Sequence, residues 1–306
     1  MKRMNISKNL SICVLIILII TVCEVGATNE VTITFYHTSD IHENSENLAR
    51  IAQFIQDQKT KNPNVLFLDT GDWFNLGNLT GLNTRGGAIL EMMGAMKYDA
   101  VILGNNDYVF GTERLVELVD KYSLPLLTAN CIWPENMKPK TVAQYKIFKF
   151  NGVKVAVIGT ASTILWRQTD NLLKVLPIAQ SVDNLLDKIE RKADIIVLMT
   201  HVRVNRGQML ALNLPRVDII FGGHTHEAFE TLNFDEDNQT IIQHSGCFGQ
   251  EIGEVIIKWD GKKIVDREAG LVDIPWIEIS ESSKIKDILN KYLATPPEKV
   301  RAGSTN

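Results

Sequence analysis

Two short motifs, far apart in the chain, carry side chains of the types that bind metal ions. Asp40-Ile41-His42 places a carboxylate and an imidazole two residues apart, and Gly222-Gly223-His224-Thr225-His226 does the same with two imidazoles. Imidazole nitrogens and carboxylate oxygens suit divalent zinc, manganese or iron. Either motif alone is weak, because such pairs arise by chance and more often contribute only polarity to a surface. A metal site is indicated only if other ligand-type residues accompany them.

Further ligand-type residues do stand in the chain, each where a predicted strand ends. The strands are short runs rich in apolar or β-branched residues at 31–37, 65–68, 100–103, 195–199 and 217–221. In open α/β sheets the carboxyl ends of the strands form the ligand crevice, so residues that follow different strands can converge there. The residues that follow these strands are Asp40, His42, Asp72, Asn105, His201, His224 and His226.

Seven ligands are too many for one tetrahedral ion, but they suit two ions that share a bridging ligand. In such sites the ions lie about 3.5 to 4 Å apart, polarise phosphoryl oxygens and convert a bridging water into a hydroxide nucleophile. The residue set therefore predicts two divalent metal ions (manganese, zinc or iron) and hydrolytic chemistry.

The elements that must position these residues follow from hydrophobic periodicity. The chain has 306 residues, of which 45% are hydrophobic and 22% charged, as is typical of a globular protein. A sixth apolar strand is predicted at 154–158, and helices are predicted at 47–59, 87–96, 112–122, 183–192 and 206–212. After His226 the pattern changes to alternating strands at 240–244, 253–259 and 263–268, with a hairpin turn at Asp260-Gly261. An α/β protein that ends in an antiparallel portion is expected.

The N-terminus is typical of a signal peptide, which we assign to residues 1–27. A basic start with Lys2, Arg3 and Lys8 precedes an apolar run at 10–22, and Val25-Gly26-Ala27 offers a small residue for cleavage. Export to a periplasmic, cell-surface or extracellular location is therefore expected, with membrane contact only through this segment. The alternatives are an uncleaved anchor, since the run is near the lower length limit for a span, or a lipoprotein site at Cys23.

The net charge argues against one class of protein, and the cysteine content allows either a disulfide or free thiols. The net charge is −4 and no basic block stands out, which argues against a nucleic-acid scaffold. A small anionic substrate would then need metal ions to hold it. Outside the signal segment only Cys131 and Cys247 occur, and they could form one disulfide or remain free thiols. The oligomeric state is not predicted.

The motifs in series resemble the calcineurin-like metallophosphoesterases, in the branch similar to the catalytic domain of 5′-nucleotidases. The segment Tyr36-His37-Thr38-Ser39-Asp40-Ile41-His42 resembles that branch's HTNDxH opening, and Ile242-Gln243-His244-Ser245-Gly246-Cys247-Phe248-Gly249 resembles its QAGxxG strand. The resemblance covers roughly residues 32–268. It implies a metallo-dependent phosphatase-like layered sandwich, with two mixed β-sheets flanked by helices, formed by a domain at residues 28–275.

The same resemblance implies which residue binds which ion. One metal ion would be held by Asp40, His42 and His226, the other by Asn105, His201 and His224, with Asp72 as the bridge. Taken singly, each has a plainer interpretation: a turn cap or turn residue for the Asp and Asn positions, and a hydrogen-bonded core histidine for His201. The expected function is that of an exported hydrolase of phosphoester or phosphoanhydride bonds, acting through a metal-activated hydroxide, with a nucleotide as one possible substrate.

The chain departs from the family pattern at one informative place. The GNHEFD signature supplies a histidine and an aspartate that orients it, whereas this chain has Asn106 and Val109 at those two positions. General acid catalysis contributes roughly 10² to 10⁴ in rate, and an asparagine side chain cannot transfer a proton at neutral pH. Asn106 is therefore a weak catalytic candidate. We expect a preference for good leaving groups, such as those of anhydrides, activated esters or sulfur esters like those of thiosulfate-ester hydrolases.

Three other residues could replace the missing proton donor, namely Asp107, Tyr108 and His244. The competing interpretation makes Asp107 a loop cap, packs Tyr108 and Val109, and turns His244 outward on a strand. A different class of function also remains open, in which the protein binds metal or ligand without turnover.

The C-terminal part, residues 276–306, is expected to form one helix, at about 280–293, and a polar tail. No second nucleotidase domain, which would grip the base and sugar, is expected in it. Trp73, Phe74 and Trp166 are aromatic residues on predicted loops and are the candidates for stacking a base.

Overall fold

A computed structural model describes residues 30–165, 168–231 and 239–294. Within these ranges strands and helices alternate, as the periodicity predicts. The strands are β1 Val31–Thr38, β2 Val65–Asp69, β3 Ala100–Val101, β4 Cys131–Ile132, β5 Tyr145–Phe150, β6 Val153–Gly159, β7 Lys174–Val175, β8 Ile195–Met199, β9 Ile219–Gly222, β10 Ala228–Thr231, β11 Ile241–Ser245, β12 Glu251–Trp259 and β13 Ile264–Asp273. The helices are α1 Leu48–Lys61, α2 Gly87–Met96, α3 Thr112–Tyr122, α4 Ile178–Ile189, α5 Val204–Asn213 and α6 Ser283–Ala294, and short 3₁₀ turns lie at Thr80–Leu82, Asn106–Tyr108 and Ile274–Trp276.

The strands form two large mixed sheets, which confirms the predicted fold class. The first sheet has the order β13-β12-β1-β2-β3, and the second has the order β10-β11-β9-β8-β6-β5. In the first, β1, β2 and β3 run parallel while β12 and β13 are antiparallel additions. In the second, β6, β8, β9 and β11 run parallel, with an antiparallel strand at each edge. A separate small ribbon pairs β4 with β7.

Three apolar cores arrange the sheets and helices as layers. The middle core lies between the sheets, where Ile33 and Phe35 of the first sheet meet Val197 and Phe221 of the second. A second core packs α1, α2 and α3 onto the outer face of the first sheet. A third packs α4 and α5 onto the outer face of the second sheet. Each sheet is therefore covered on both faces, as its continuous apolar strands require.

The prediction of an antiparallel portion after His226 is only partly correct. Strands β12 and β13 do form an antiparallel hairpin, and Asp260 Oδ1 accepts the backbone N–H groups of Lys262 and Lys263 in its turn. Strand β11, however, pairs in parallel with β9 in the other sheet. All five β11 residues are buried, which is typical of an inner strand and explains why it does not join the hairpin.

The predicted position of α4 is wrong at its start. The helix spans Ile178–Ile189 rather than 183–192, and its first residue follows Pro177. Its buried residues, Ile178, Val182, Leu185, Leu186 and Ile189, recur at three- and four-residue spacing, so the apolar face extends to the proline. Strands β5 and β10 were also not predicted from the sequence, because neither is a continuous run of apolar residues.

The segment after residue 275 contains α6, which packs onto the outer core of the first sheet. Its Ile285 is buried, and the Tyr292 hydroxyl donates a hydrogen bond of 2.6 Å to Glu91 Oε2 on α2. Among the described residues no helix has the length and apolar character needed to cross a membrane. The signal segment predicted at 1–27 lies outside those residues.

Two structural questions left open by the sequence are answered. Cys131 and Cys247 are free, half-buried thiols rather than a disulfide. Trp73 and Phe74 have no exposed surface and belong to the outer core of the first sheet, so neither can stack a base. Trp166, the third aromatic candidate, lies outside the described residues.

Trp73 should matter for stability rather than for ligand binding. Its ring is fully buried and its Nε1 donates a 2.6 Å hydrogen bond to Asp69 Oδ1. We expect Trp73→Ala to lower the free energy of unfolding by about 3–5 kcal/mol, as for other large aromatic deletions in cores. Urea denaturation measures this. The control is Trp276→Ala, whose side chain is 84% exposed and whose loss should change stability by about 0.5 kcal/mol at most. Equal effects of the two substitutions would contradict the assignment.

Candidate metal centre

The seven residues predicted as metal ligands converge at one edge of the two sheets. They lie on the loops that follow β1, β2, β3, β8 and β9, which run parallel within their sheets. Their side chains form two neighbouring clusters, within each of which the potential ligand atoms lie within 4.8 Å of one another. The clusters are Asp40, His42 and His226, and Asp72, His201 and His224. Asn105 contacts the second cluster through His224.

Most of these residues have an unusual backbone. Five of the seven lie in the left-handed region, which non-glycine residues occupy at a cost of about 1–3 kcal/mol each when the conformation is strained. Such conformations aim consecutive loop side chains toward a common point instead of alternating them. The five are Asp40 (φ 51°), His42 (φ 52°), Asp72 (φ 61°), His224 (φ 78°) and His226 (φ 61°).

In the first cluster the two imidazoles face each other beside a carboxylate. His42 Nε2 lies 2.9 Å from His226 Nε2 and 3.7 Å from Asp40 Oδ1. His226 Nε2 lies 3.5 Å from the same Asp40 oxygen. The other oxygen of Asp40 accepts the Ser39 hydroxyl and, at 2.9 Å, the backbone N–H of His224. Those two bonds fix the carboxylate and leave Oδ1 directed at the imidazoles.

In the second cluster His201 faces a carboxylate and His224 faces an amide oxygen. His201 Nε2 lies 3.3 Å from Asp72 Oδ2. His224 Nδ1 lies 2.7 Å from the Asn105 side-chain oxygen. His201 is fully buried, whereas His224 is partly exposed, so the cluster is accessible from one side.

Asp72 belongs to the second cluster and also lies close to the first. Its Oδ2 is 3.3 Å from His201 Nε2 of the second cluster and 3.7 Å from His42 Nε2 of the first. Asp40 Oδ1 also lies 3.8 Å from His201 Nε2. The two clusters are therefore close enough to form one binuclear site.

Two of the imidazoles are oriented by backbone carbonyls on the side away from the cluster. His42 Nδ1 donates to the carbonyl of Phe74 at 3.0 Å, and His201 Nδ1 donates to the carbonyl of Thr70 at 2.8 Å. Metal-binding histidines are usually held in this way, because the bond fixes the tautomer that presents the opposite nitrogen to the ion. In both residues Nε2 is the nitrogen directed into the centre.

The residues present fit a pair of divalent ions. Two ligand atoms bound to one tetrahedral zinc at 2.0–2.1 Å lie about 3.3 Å apart, and the separations given above for the centre range from 2.7 to 3.8 Å. In addition, Asp40 Oδ1 and His201 Nε2 are buried without a hydrogen-bond partner. Buried polar atoms are rarely left unsatisfied in native proteins, and a bound cation would satisfy both.

The charges in the centre are strongly coupled. Burial alone would lower the pKa of His201, but the carboxylates of Asp72 and Asp40 outweigh it and raise that pKa to about 10. Burial would likewise raise the pKa of Asp72 and Asp40, yet the positive charge of His201 holds both below the usual aspartate value. Without metal the site therefore keeps two ionised carboxylates and draws a proton onto His201.

The side chain of Asn106 contacts the carboxylate of Asp72 and does not face solvent. Its side-chain Nδ2 donates to Asp72 Oδ2 and its backbone N–H to Asp72 Oδ1, both at 2.7 Å. Its side-chain oxygen is buried without a partner. The adjacent Asp107 is fully buried and accepts the backbone N–H groups of Asp72, Trp73 and Gly104 at 2.7–2.9 Å. The loop-cap interpretation of Asp107 is correct.

Tyr108 and Val109 also have structural positions. The Tyr108 ring is buried, and its hydroxyl donates to the carbonyl of Ser162 at 3.3 Å. Burial raises its pKa well above the usual tyrosine value, so it is a poor acid at neutral pH. Val109 packs against the outer core of the first sheet.

The expectation that His244 faces outward is wrong. Only 1% of it is exposed, and a Cβ at Gly222 would collide with its ring, so it packs directly on the strand that leads to the histidine motif. Burial lowers its pKa to about 4, which leaves it neutral and unable to act as an acid at pH 7. Strand β11 is internal to its sheet, and the sequence offered no sign of that position.

Residues that the sequence prediction missed complete the centre. The Phe248 ring lies beside both imidazoles of the first cluster, with centroid distances of 5.8 Å to His42 and 5.6 Å to His226. Its backbone N–H donates to the carbonyl of Asp40 at 2.9 Å. Close packing also explains Gly223, where a Cβ would collide with the Ser39 hydroxyl and lie 2.9 Å from Asp40 Oδ2. Phe248 lies in the segment 242–249, and Gly223 lies in the motif at 222–226. Membership of these two motifs is the sequence signal that could have identified both residues.

Comparison with known proteins agrees with this geometry. The calcineurin-like phosphoesterase family model matches residues 33–228, which include the six clustered residues and Asn105. The uncharacterized metallophosphoesterase YunD of Bacillus subtilis is 25% identical over 281 residues, a match that covers 87% of this chain and 58% of YunD. The snake venom 5′-nucleotidase of Crotalus adamanteus is 25% identical over 311 residues, covering 87% of this chain and 52% of that enzyme. The chain thus spans about half the length of these relatives.

A solved structure shares the fold. The 5′-nucleotidase precursor from Thermus thermophilus superposes with a TM-score of 0.75 at 22% identity, covering 86% of this chain and 58% of that one. The match to the family model and the two neighbouring ligand clusters lead to the same conclusion: this chain belongs to the calcineurin-like phosphoesterase family, whose members use two divalent metal ions.

Proposed function

We propose that the protein is an exported, metal-dependent hydrolase of phosphoester or phosphoanhydride bonds. The observation that carries the proposal is the pair of clusters joined by Asp72, with buried ligand atoms of Asp40 and His201 that a cation would satisfy. The names of the relatives make a nucleotide the first substrate to test. Export is inferred from residues 1–27 alone, and the N-terminal residue of the secreted protein tests it.

The role of each residue follows from its contacts. Asp40, His42 and His226 would hold one ion, and Asn105, His201 and His224 the other, while Asp72 lies between them. When bound, two such ions polarise the phosphoryl group and lower the pKa of water. The carbonyls of Phe74 and Thr70 orient His42 and His201, and Ser39 fixes Asp40.

Asn106 determines which substrates the site favours. Its Nδ2 is already engaged by Asp72, and its free oxygen can accept a hydrogen bond but cannot supply a proton. Burial raises the pKa of Asp107 to about 7, but this residue is fully buried and both of its carboxylate oxygens are occupied by backbone N–H groups, so it cannot reach a leaving group. Tyr108 and His244 do not act as acids at neutral pH, because burial raises the pKa of the first and lowers that of the second. We therefore infer that the leaving group departs largely unprotonated, as in anhydrides and aryl esters.

His224→Ala tests the metal centre. We expect the wild-type protein to bind two equivalents of divalent metal and the variant about one, with hydrolysis of aryl phosphate reduced at least about 100-fold, because a ligand of the second cluster is lost. Metal analysis of purified protein and steady-state kinetics measure these effects. His244→Gln is the matched control and should keep both metals and activity. Full metal content without hydrolysis of anhydrides, aryl phosphates, diesters or thiosulfate esters would favour a binding protein that lacks turnover.

Asn106→His restores an imidazole at the position where the family resemblance places one. We expect hydrolysis of simple alkyl phosphates to rise about 10- to 100-fold relative to wild type, since proton donation helps poor leaving groups most. The rate for an anhydride should change little. Asn106→Ala serves as the comparison, because it removes the bond to Asp72 without adding an acid. An unchanged ratio of alkyl to anhydride rates in Asn106→His would show that the acid is not what the site lacks.

Metal affinity should increase with pH. The pKa of metal-free His201 is about 10, so the residue carries a proton at neutral pH that an incoming ion must displace. For this single proton the apparent affinity should rise by about tenfold per pH unit and level off near pH 10. Asp40 and Asp72, whose pKa values are lowered, are ionised throughout and add no further protons. The pKa of His42 is raised by the carboxylates of Asp40 and Asp72 against the effect of burial, so its proton makes the slope steeper at the acidic end of the range. Chelator competition between about pH 6 and pH 8 measures the slope, and a pH-independent affinity would contradict the assignment of His201.

A further inference from the structure

An exposed arginine lies on the loop that carries His201, next to the loop that carries His224. Arg203 follows His201 by two residues and occupies the N-cap position of α5. The carbonyl of the intervening Val202 accepts the backbone N–H of Gly223 at 3.4 Å. Because this bond joins the two loops, the arginine and the partly exposed His224 are neighbours at the accessible side of the second cluster.

The positive charge of Arg203 acts on the second cluster. Burial and the charge of His201 lower the pKa of His224 against the opposing effect of the carboxylates of Asp72 and Asp40, and the charge of Arg203 lowers that pKa further. In salt solution the interactions of exposed charges are largely screened beyond about 10 Å, so the guanidinium lies within roughly that distance of the imidazole. A molecule bound at the second cluster would therefore be within reach of the arginine side chain.

The guanidinium of Arg203 has no anionic partner of its own. Its side chain forms neither an ion pair nor a hydrogen bond with any residue in the described ranges. Arg216, by contrast, binds the carboxylates of Asp183, Asp187 and Glu190 at 2.8–3.1 Å. A free guanidinium presents a planar fork of N–H donors that matches two oxygens of a phosphate group. Arg203 is therefore available to a phosphate on a bound molecule.

The charges around the centre favour a molecule with more negative charge than a single phosphate group. Of the seven ligand-type residues only Asp40 and Asp72 are negative, and two carboxylates cannot neutralise two divalent ions. A phosphate monoester carries about −1.5 to −2 charges at neutral pH and would complete that balance. Arg203 would then remain unpaired beside a neutral centre, and the positive end of the α5 dipole lies at the same loop. A second anionic group on the substrate would satisfy both.

We propose that Arg203 binds a second phosphate of the substrate, adjacent to the phosphoryl group that reacts at the metal centre. The assignment rests on the proposed hydrolase function and narrows its substrate class to phosphoanhydrides, whose leaving group is itself a phosphate.

Arg203 would then act on the charge of the leaving group. Water adds its oxygen to the reacting phosphorus and releases a proton to solvent, while the bridging oxygen departs with both electrons of the broken P–O bond. The guanidinium stabilises the negative charge that develops on the departing phosphate. Cleavage of this kind needs no proton donor at Asn106, because the leaving group is an anion that a fixed cation neutralises.

Two substitutions and two substrates test the assignment. Arg203→Gln removes the charge, and Arg203→Lys keeps the charge but loses the planar fork. Arg206→Gln is the matched control, because Arg206 lies three residues further along, is equally exposed and has no ion-pair partner in the described ranges. The substrates are ADP and 4-nitrophenyl phosphate, which both have good leaving groups, although only the leaving group of ADP contains a phosphate. Every variant should keep the wild-type metal content, because neither arginine is a metal ligand.

We expect the ratio of kcat/KM for ADP to kcat/KM for 4-nitrophenyl phosphate to fall about 10- to 100-fold in Arg203→Gln, as for the loss of a charged hydrogen bond. Arg203→Lys should lose less, and Arg206→Gln should keep the wild-type ratio. Calorimetry with the non-hydrolysable adenosine 5′-(α,β-methylene)diphosphate gives a second readout that does not depend on turnover. Its affinity for metal-loaded Arg203→Gln should fall by a similar factor, and the affinity for orthophosphate should fall less.

The outcomes separate this assignment from the hydrolase proposal. A wild-type ratio in Arg203→Gln, or an equal loss with both substrates, would overturn the binding of a second phosphate and leave the hydrolase proposal intact. Hydrolysis of neither substrate by metal-loaded wild type would instead overturn the hydrolase proposal. Equal binding of the diphosphate analogue by wild type and Arg203→Gln would contradict the role of Arg203 whether or not turnover occurs.

Discussion

The position of the Asp72 carboxylate is the constraint on which both metal clusters depend. One of its oxygens lies within 3.7 Å of imidazoles from both clusters, so a small displacement would separate the two sites. The residue is held by its neighbours rather than by its own strand. Asp107 binds three backbone N–H groups from the loops after β2 and β3, and thereby joins those loops. Three hydrogen bonds to one buried side chain hold the two loops in a single geometry, which keeps the Asp72 carboxylate in place.

The strained backbone of the centre needs the rigidity of the two sheets. Five ligand-bearing residues in the left-handed region together cost several kcal/mol at about 1–3 kcal/mol each. The loops that carry them are tied to one another by backbone bonds, such as Asp40 N–H to Gly71 O and His42 N–H to Asp72 O, both 2.9 Å long. The three apolar cores hold the strand ends beneath these loops. The free energy gained by burying apolar side chains in these cores thus offsets the local backbone strain at the site.

The sequence was most informative at positions where a ligand-type residue closely follows a predicted apolar strand. Each ligand-type residue follows a short buried strand, and parallel strands bring those ends together, so the clusters were predictable without coordinates. The burial and contacts that could not be predicted depend on which strands are neighbours in the sheets. His244 is buried because β11 inserts beside β9, and Phe248 reaches the imidazoles only because the following loop folds back over Asp40. The start of α4 was misplaced because its apolar face continues to a proline.

Asn106 illustrates how one residue shapes the chemistry through its neighbour. Its backbone and side-chain N–H groups each bind one oxygen of Asp72, so both oxygens are polarised while lone pairs remain for cations. An imidazole at the same place would compete for protons and, when charged, would repel nearby cations. The amide stays neutral at every accessible pH, and the buried carboxylate stays ionised. The site is therefore suited to holding positive ions rather than to transferring protons, and under the proposed function bond cleavage would depend on the stability of the departing group.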